Sequence, residues 1–121
     1  MTADAITLVL PGEVPMSWNR IYAGGHWSIR RDEAERVHML VRSVIDPDKP
    51  PFETQVDIEM NVYFQNRRLQ QDASNIAAKF YEDGLIGWVI ENDSPRYVRS
   101  IKTMSLIDRK QPRVEIIVRP V

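Results

Sequence analysis

Between Arg67 and Lys102 the chain concentrates side chains that could do phosphate chemistry: Arg67 and Arg68, then Asp72, Asn75, Lys79 and Asp83, then Glu91, Asn92 and Asp93. Asp72 stands where a helix is expected to begin, and the unpaired amides and positive dipole end of a helix favour a carboxylate, a phosphate, or a phosphate bridged by a cation. Asp93 lies in the turn-forming sequence Asn92-Asp93-Ser94-Pro95. If helix and turn fold back on each other, the two carboxylates could share a divalent cation of the Mg2+ kind, which takes one or two carboxylates and keeps several waters. Centres of that kind hydrolyse phosphodiesters. Ordinary roles account for the same residues one by one: Asp72 as a helix cap, Asp93 as the Asx residue of its turn, Lys79, Glu82 and Asp83 as a solvated helix face. Arg67, Arg68, Arg96, Arg99 and Lys102 could form a phosphate-binding surface or be plain surface charge. His26 and His38 read as surface or packing residues.

Composition narrows the chemistry. The chain has no cysteine and two histidines, which excludes disulfides, a thiolate nucleophile and a multi-histidine cage, and leaves oxygen ligands for any metal. Sixteen Lys and Arg against seventeen Asp and Glu give a net charge of −1, without the excess expected of a general DNA-coating protein. A basic field local to Asp72 and Asp93 is compatible with that balance. At 121 residues, 43% hydrophobic and 27% charged, the chain is expected to be a single domain over 1–121. No apolar run has the length of a membrane span or the form of a secretory leader, so the expectation is a soluble cytoplasmic protein with no membrane partner.

The elements that would position these residues follow from period and punctuation. Ile6, Leu8 and Leu10 alternate as a short strand. Pro11 to Trp27, with its prolines, glycines and aromatics, reads as a long irregular loop available for dimer or DNA contact. A helix is predicted from about Arg30 to Ile45, capped by Ser28 or Asp32, with a capping box at Asp32-Glu33-Ala34-Glu35 and Ala34, Val37, Val41, Val44 and Ile45 on one face. Unbroken alternation from Val56 to Phe64 gives a half-exposed strand, antiparallel to a neighbour. A second helix starts just after Asp72, with Ile76, Phe80, Tyr81 and Leu85 at helical spacing. Val98 to Leu106 and Arg113 to Arg119 look like two strands around a turn at Asp108 to Pro112. The order suggests a small α/β (α+β) domain with a mixed sheet of about four strands and two main helices.

Leu10-Pro11, Pro15 and Trp18-Asn19-Arg20-Ile21-Tyr22 resemble the opening of RusA-type Holliday-junction resolvases. Arg67-Arg68 followed by Asp72-Ala73-Ser74-Asn75-Ile76 resembles that family's Arg-rich lead into Asp-x-Asp-Asn-[Leu/Ile], and Lys79 to Leu85 its Lys-x-x-x-Asp-[Ala/Gly]-Leu helix. Glu91-Asn92-Asp93-Ser94 and Val98 are similar to its acidic turn and the strand after it. The resemblance spans nearly the whole chain in order. It implies a RusA-like, homodimeric endonuclease dependent on Mg2+ or Mn2+, with no small-molecule cofactor, that nicks a four-way DNA junction symmetrically. By the same resemblance Asp72 and Asp93 would be metal ligands and Lys79 the functional lysine. Arg67, Arg68, Asn75, Arg96, Arg99, Lys102, Asn19 and Arg20 would contact DNA.

Two departures stand out. Three residues separate Asn75 from Lys79 where the family has two, which on an ideal helix would rotate Lys79 by about 100°. Ser74 occupies the place of the second aspartate, and a neutral hydroxyl is a weak cation ligand. Glu91 or Asp83 could supply the lost carboxylate, the centre could work with two aspartates and Ser74, or the chain could bind branched DNA and cut it poorly. A small dimeric interaction module that has lost DNA is the remaining alternative.

Overall fold

The alternation from Val56 to Phe64 forms an inner strand, β2 (Val56–Phe64), of a four-stranded sheet in the computed structural model, which describes residues 4–23 and 27–121. His26 lies outside the described residues. β4 (Arg113–Pro120) runs antiparallel to β2, β1 (Ile6–Pro11) lies antiparallel beyond β4, and β3 (Val98–Ile107) flanks β2 in parallel on the other side. The spatial order is therefore β1-β4-β2-β3. This mixed sheet, with helices, makes the fold α+β, as the element order suggested.

The strands expected on either side of a turn are both present, but they are not neighbours. The Asp108 N–H donates to the Phe64 carbonyl at 2.9 Å, so the chain leaving β3 steps over the end of β2 before Arg113 enters β4. Crossing two strand spacings takes about 10 Å, well within the reach of residues 108–112. Connection length alone therefore does not distinguish this path from a hairpin.

One face of the sheet is covered by α2 (Trp27–Ser43) and α3 (Lys79–Leu85), and Leu8, Leu10, Val37, Val41, Ile58, Met60, Val62, Phe80, Val114 and Ile116 share the core between them. α2 begins at Trp27 rather than Arg30, so Asp32 and Glu33 lie inside it and form no capping box. Asp32 pairs with Arg31 at 3.2 Å, and Glu33 turns inward. The helices approach closely at Gly84, where an added Cβ would stand 3.0 Å from the Cβ of fully buried Val41. Gly84→Ala is expected to destabilise the fold by about 1–2 kcal/mol, because overpacking against a β-branched side chain outweighs the gain in helix propensity. A denaturation midpoint at or above the parent value would refute this.

The segment after β1 is more ordered than its prolines and glycines suggested. α1 (Trp18–Ala23) is a short helix whose first turn is capped by Ser17, with the Arg20 N–H donating to Ser17 Oγ at 3.1 Å. Upstream, Glu13 is only 8% exposed. It accepts Arg36 Nη1 and Nη2 at 3.0 and 2.9 Å, and the Tyr81 hydroxyl at 2.6 Å. Buried Glu33 takes the same guanidinium at 2.5 Å. This network ties the β1–α1 connection to α2 and α3. Among the described residues no helix is long and apolar enough to cross a membrane.

Candidate functional site

The second helix does not begin after Asp72. Asp72 precedes a single 3-10 turn, Ala73–Asn75, and its side chain makes no capping hydrogen bond. Ile76 then adopts an extended conformation, is buried, and forms a β-bridge with Ser17. That tertiary contact interrupts the helical period, and α3 starts only at Lys79. Asp72 therefore has no α-helix N-terminus behind it, and Lys79 shares no helix with Asn75 that could rotate it.

The broken segment is held from two sides. Thr103 Oγ1 donates to the Ala73 carbonyl at 3.1 Å, the Ser105 hydroxyl donates to the Gln71 carbonyl, and Gln70 Nε2 donates to the Ser105 carbonyl at 3.2 Å. On the opposite flank Gln71 Nε2 donates to the Pro15 carbonyl at 2.7 Å, and the Asn19 N–H donates to Asn75 Oδ1 at 3.1 Å. Asn19 and Asn75 are thus brought together. Asp72 and Ser74 remain exposed, and Asp72 lines a shallow cleft with Arg67, Gln70, Gln71 and Ser105.

The charged centre lies one turn further on. The Lys79 ammonium donates to Asp93, stands 3.0 Å from Asp83 and 3.4 Å from Glu82. Asp93 can turn toward Lys79 because its neighbour holds the loop: the Ser94 N–H donates to Asn92 Oδ1 at 2.9 Å, so Asn92, not Asp93, is the Asx residue. The Lys79 hydrogen bond holds the Asp93 carboxyl below the usual aspartate range, and Asp93 raises Lys79 in return. Glu82 behaves oppositely. Its side chain is 11% exposed, and burial pushes its carboxyl above the ordinary value despite Lys79.

Carboxylate oxygens of Glu82, Asp83 and Asp93 lie within 4.8 Å of one another. Opposite ligands across a Mg2+ sphere are about 4.2 Å apart, so these hard oxygen donors could hold a divalent cation after a small contraction. Asp72 does not belong to this group, nor does exposed Glu91. Glu82 is the member that sequence reasoning assigned to a solvated helix face. Its spacing on the face of Lys79 and Asp83 was visible, but its burial was not.

The basic residues divide between surfaces. Arg67 and Arg68 are exposed, and Arg67 lines the cleft that holds Asp72. Arg96 lies 5.4 Å from the Tyr97 ring. Arg99 is engaged by Asp57 at 2.5 and 3.0 Å, which holds the Asp57 carboxyl below its ordinary range. Lys102 alternates with Thr103, whose hydroxyl reaches Ala73, so Lys102 and the Arg99–Asp57 pair sit on the sheet face away from the carboxylate group. The structure does not gather Arg99 and Lys102 with Lys79. No family model matches the chain, and no curated protein matches it.

Glu82→Gln is expected to stabilise the fold near neutrality. A raised carboxyl pKa means that the folded state binds more protons than the unfolded one, so stability falls as pH rises from the ordinary glutamate range through the raised value. The gain should therefore be full at about pH 8 and vanish at about pH 3. Denaturation midpoints of variant and parent at both values check the sign, and a gain confined to acid would reverse it.

Proposed function

We propose that the chain is a metal-dependent endonuclease of the RusA type that nicks branched DNA, acting as a pair of copies so that two strands are cut symmetrically. The observation that supports this reading is the Lys79–Asp93 contact, which joins a helix lysine to an acidic turn and sets Asp83 and Glu82 around the same ammonium. A divalent cation bound by Asp93 with Asp83 and Glu82 would polarise a water and take up charge on the scissile phosphate. Lys79 would neutralise the phosphate or the departing oxygen. Arg67, exposed beside Asp72, and its exposed neighbour Arg68 would hold the DNA backbone. In this scheme Asp83 replaces the carboxylate absent at Ser74.

A second reading, a branched-DNA-binding protein with little nuclease activity, is favoured by one observation: Ser74 is exposed and Asp72 stands outside the three-carboxylate group. A labelled synthetic four-way junction and a linear duplex of the same sequence, each incubated with Mg2+, Mn2+ or chelator, separate the two. Paired nicks that need the metal and the junction support the enzyme; binding without nicks supports the second reading. Ser74→Asp should leave the nicking rate nearly unchanged if Asp83 already serves, and raise it if the serine limits it.

A further inference from the structure

Two exposed rings lie at the end of α1 and at the start of α2. Tyr22 is 65% exposed and Trp27 68% exposed, on either side of residues 24–26. Tyr22 is backed by Trp18, with ring centroids 5.7 Å apart and planes within 19°, and Trp18 in turn leans on Phe80 of α3 at 5.7 Å. The Arg31 guanidinium stands 4.6 Å from the centre of the Trp27 ring. Arg20 and Arg30 are exposed and make no ion pair among the described residues. From Val14 to Arg31 the chain contains no Asp or Glu, although it has seventeen in all.

We infer that this surface is a stacking platform for the unpaired bases of single-stranded DNA. Exposed rings alone would suit an apolar peptide, and arginines alone would suit any polyanion. Rings interleaved with arginines match a strand whose bases offer π faces and whose backbone carries one charge per nucleotide. A second copy of the chain fits less well, because a two-fold interface would set Arg20, Arg30 and Arg31, with Asp32 already paired to Arg31, against the same arginines. The Trp18 backing fixes the Tyr22 ring before binding, so little side-chain freedom is lost when a base stacks on it. The platform lies beside Asn19, whose N–H is held by Asn75. A bound strand would therefore pass close to the Asp72 segment.

The inference goes beyond the nuclease reading and does not rest on it, since binding is measured in chelator. Fluorescence anisotropy of a labelled oligothymidylate, with a duplex of equal length and polyphosphate as competitors, tests it on the whole chain. Tyr22→Ala and Trp27→Ala should each weaken oligothymidylate binding roughly tenfold while leaving its salt dependence unchanged. Arg30→Gln should instead flatten the salt dependence by about 0.7 in the log–log slope. Failure of the parent to bind oligothymidylate would overturn the inference. So would equal losses on duplex and single strand, or ring variants that dissociate a dimer in sedimentation without affecting the oligonucleotide. A parent that binds the oligonucleotide but leaves junctions uncut would overturn the nuclease reading alone; one that cuts junctions and ignores the oligonucleotide would overturn this one alone.

Discussion

Glu13→Ala is expected to remove about 3 kcal/mol of stability, a large share of what a domain of this size possesses. The carboxylate is the shared acceptor of a bidentate guanidinium and a phenol, all linking the β1–α1 connection to α2 and α3. Truncation strands the Tyr81 hydroxyl in the core and leaves Arg36 with Glu33 alone. A buried donor without a partner costs about 1–3 kcal/mol, and breaking a buried ion pair about 3–5 kcal/mol. The lower end applies, because Arg36 reaches water with 45% of its side chain and can be rehydrated. Tyr81→Phe should cost only about 1 kcal/mol, since donor and need disappear together while the Arg36 pair survives. Burial, first, and the Glu13 charge both push the Tyr81 hydroxyl up, so it remains a donor at ordinary pH. Because the folded state resists its ionisation, the hydroxyl's share of stability is lost only as pH rises above the normal tyrosine range. Denaturant titration with unchanged slope gives the numbers. A loss for Glu13→Ala no larger than that for Tyr81→Phe would show that the guanidinium does not depend on Glu13.

Lys79→Ala should move two measurements in opposite directions. The ammonium sits among three carboxylates, where it relieves their mutual repulsion and occupies the space that a divalent cation would use. Removing it should tighten Mn2+ binding roughly tenfold, a figure already discounted for the exposure of the group. Nicking, under the proposed function, should fall by about 100-fold or more, because charge developing on the phosphate or leaving oxygen loses its partner. Asp93→Asn should instead lower both, cation affinity because a ligand charge is lost and nicking with it. Calorimetric Mn2+ titration and junction cleavage distinguish these outcomes. If Lys79→Ala weakened Mn2+ binding, the ammonium would be supporting the carboxylates and not competing with a cation.

Much of the scaffold was legible from periodicity. The period of two over Val56–Phe64 identified the inner strand, and Val37 and Val41 marked the buried stripe of α2, because a sheet face and a helix face impose their own spacing on apolar residues. What could not be read depends on contacts distant in sequence. Ile76 fits a helical repeat, yet its bridge to Ser17 breaks the helix. Glu13 lies in a proline-rich turn with nothing local to signal that Arg36 and Tyr81 converge on it. The candidate site shows the same division. Lys79, Asp83 and Asp93 were identified by residue type and order, whereas Glu82 joined them only through burial, and Asp72 stood apart once its helix proved to be a single turn.

The parallel pairing of β2 with β3 bears on when the candidate site exists at all. Parallel neighbours cannot be closed by a tight turn; the whole connection from residue 65 to residue 97 must be in place before β3 finds its register. That connection contains Asp72, Lys79, Glu82, Asp83 and Asp93. Pairing β4 with β2 encloses the same connection and β3 besides, so the antiparallel ladders gain no advantage from a shorter loop. The carboxylate group and the edge strand β3 are therefore closed by the same event: losing the β3 register frees the far end of the loop that carries Asp93, so hydrogen exchange at the amides of β3 would serve as a clock for the integrity of the site.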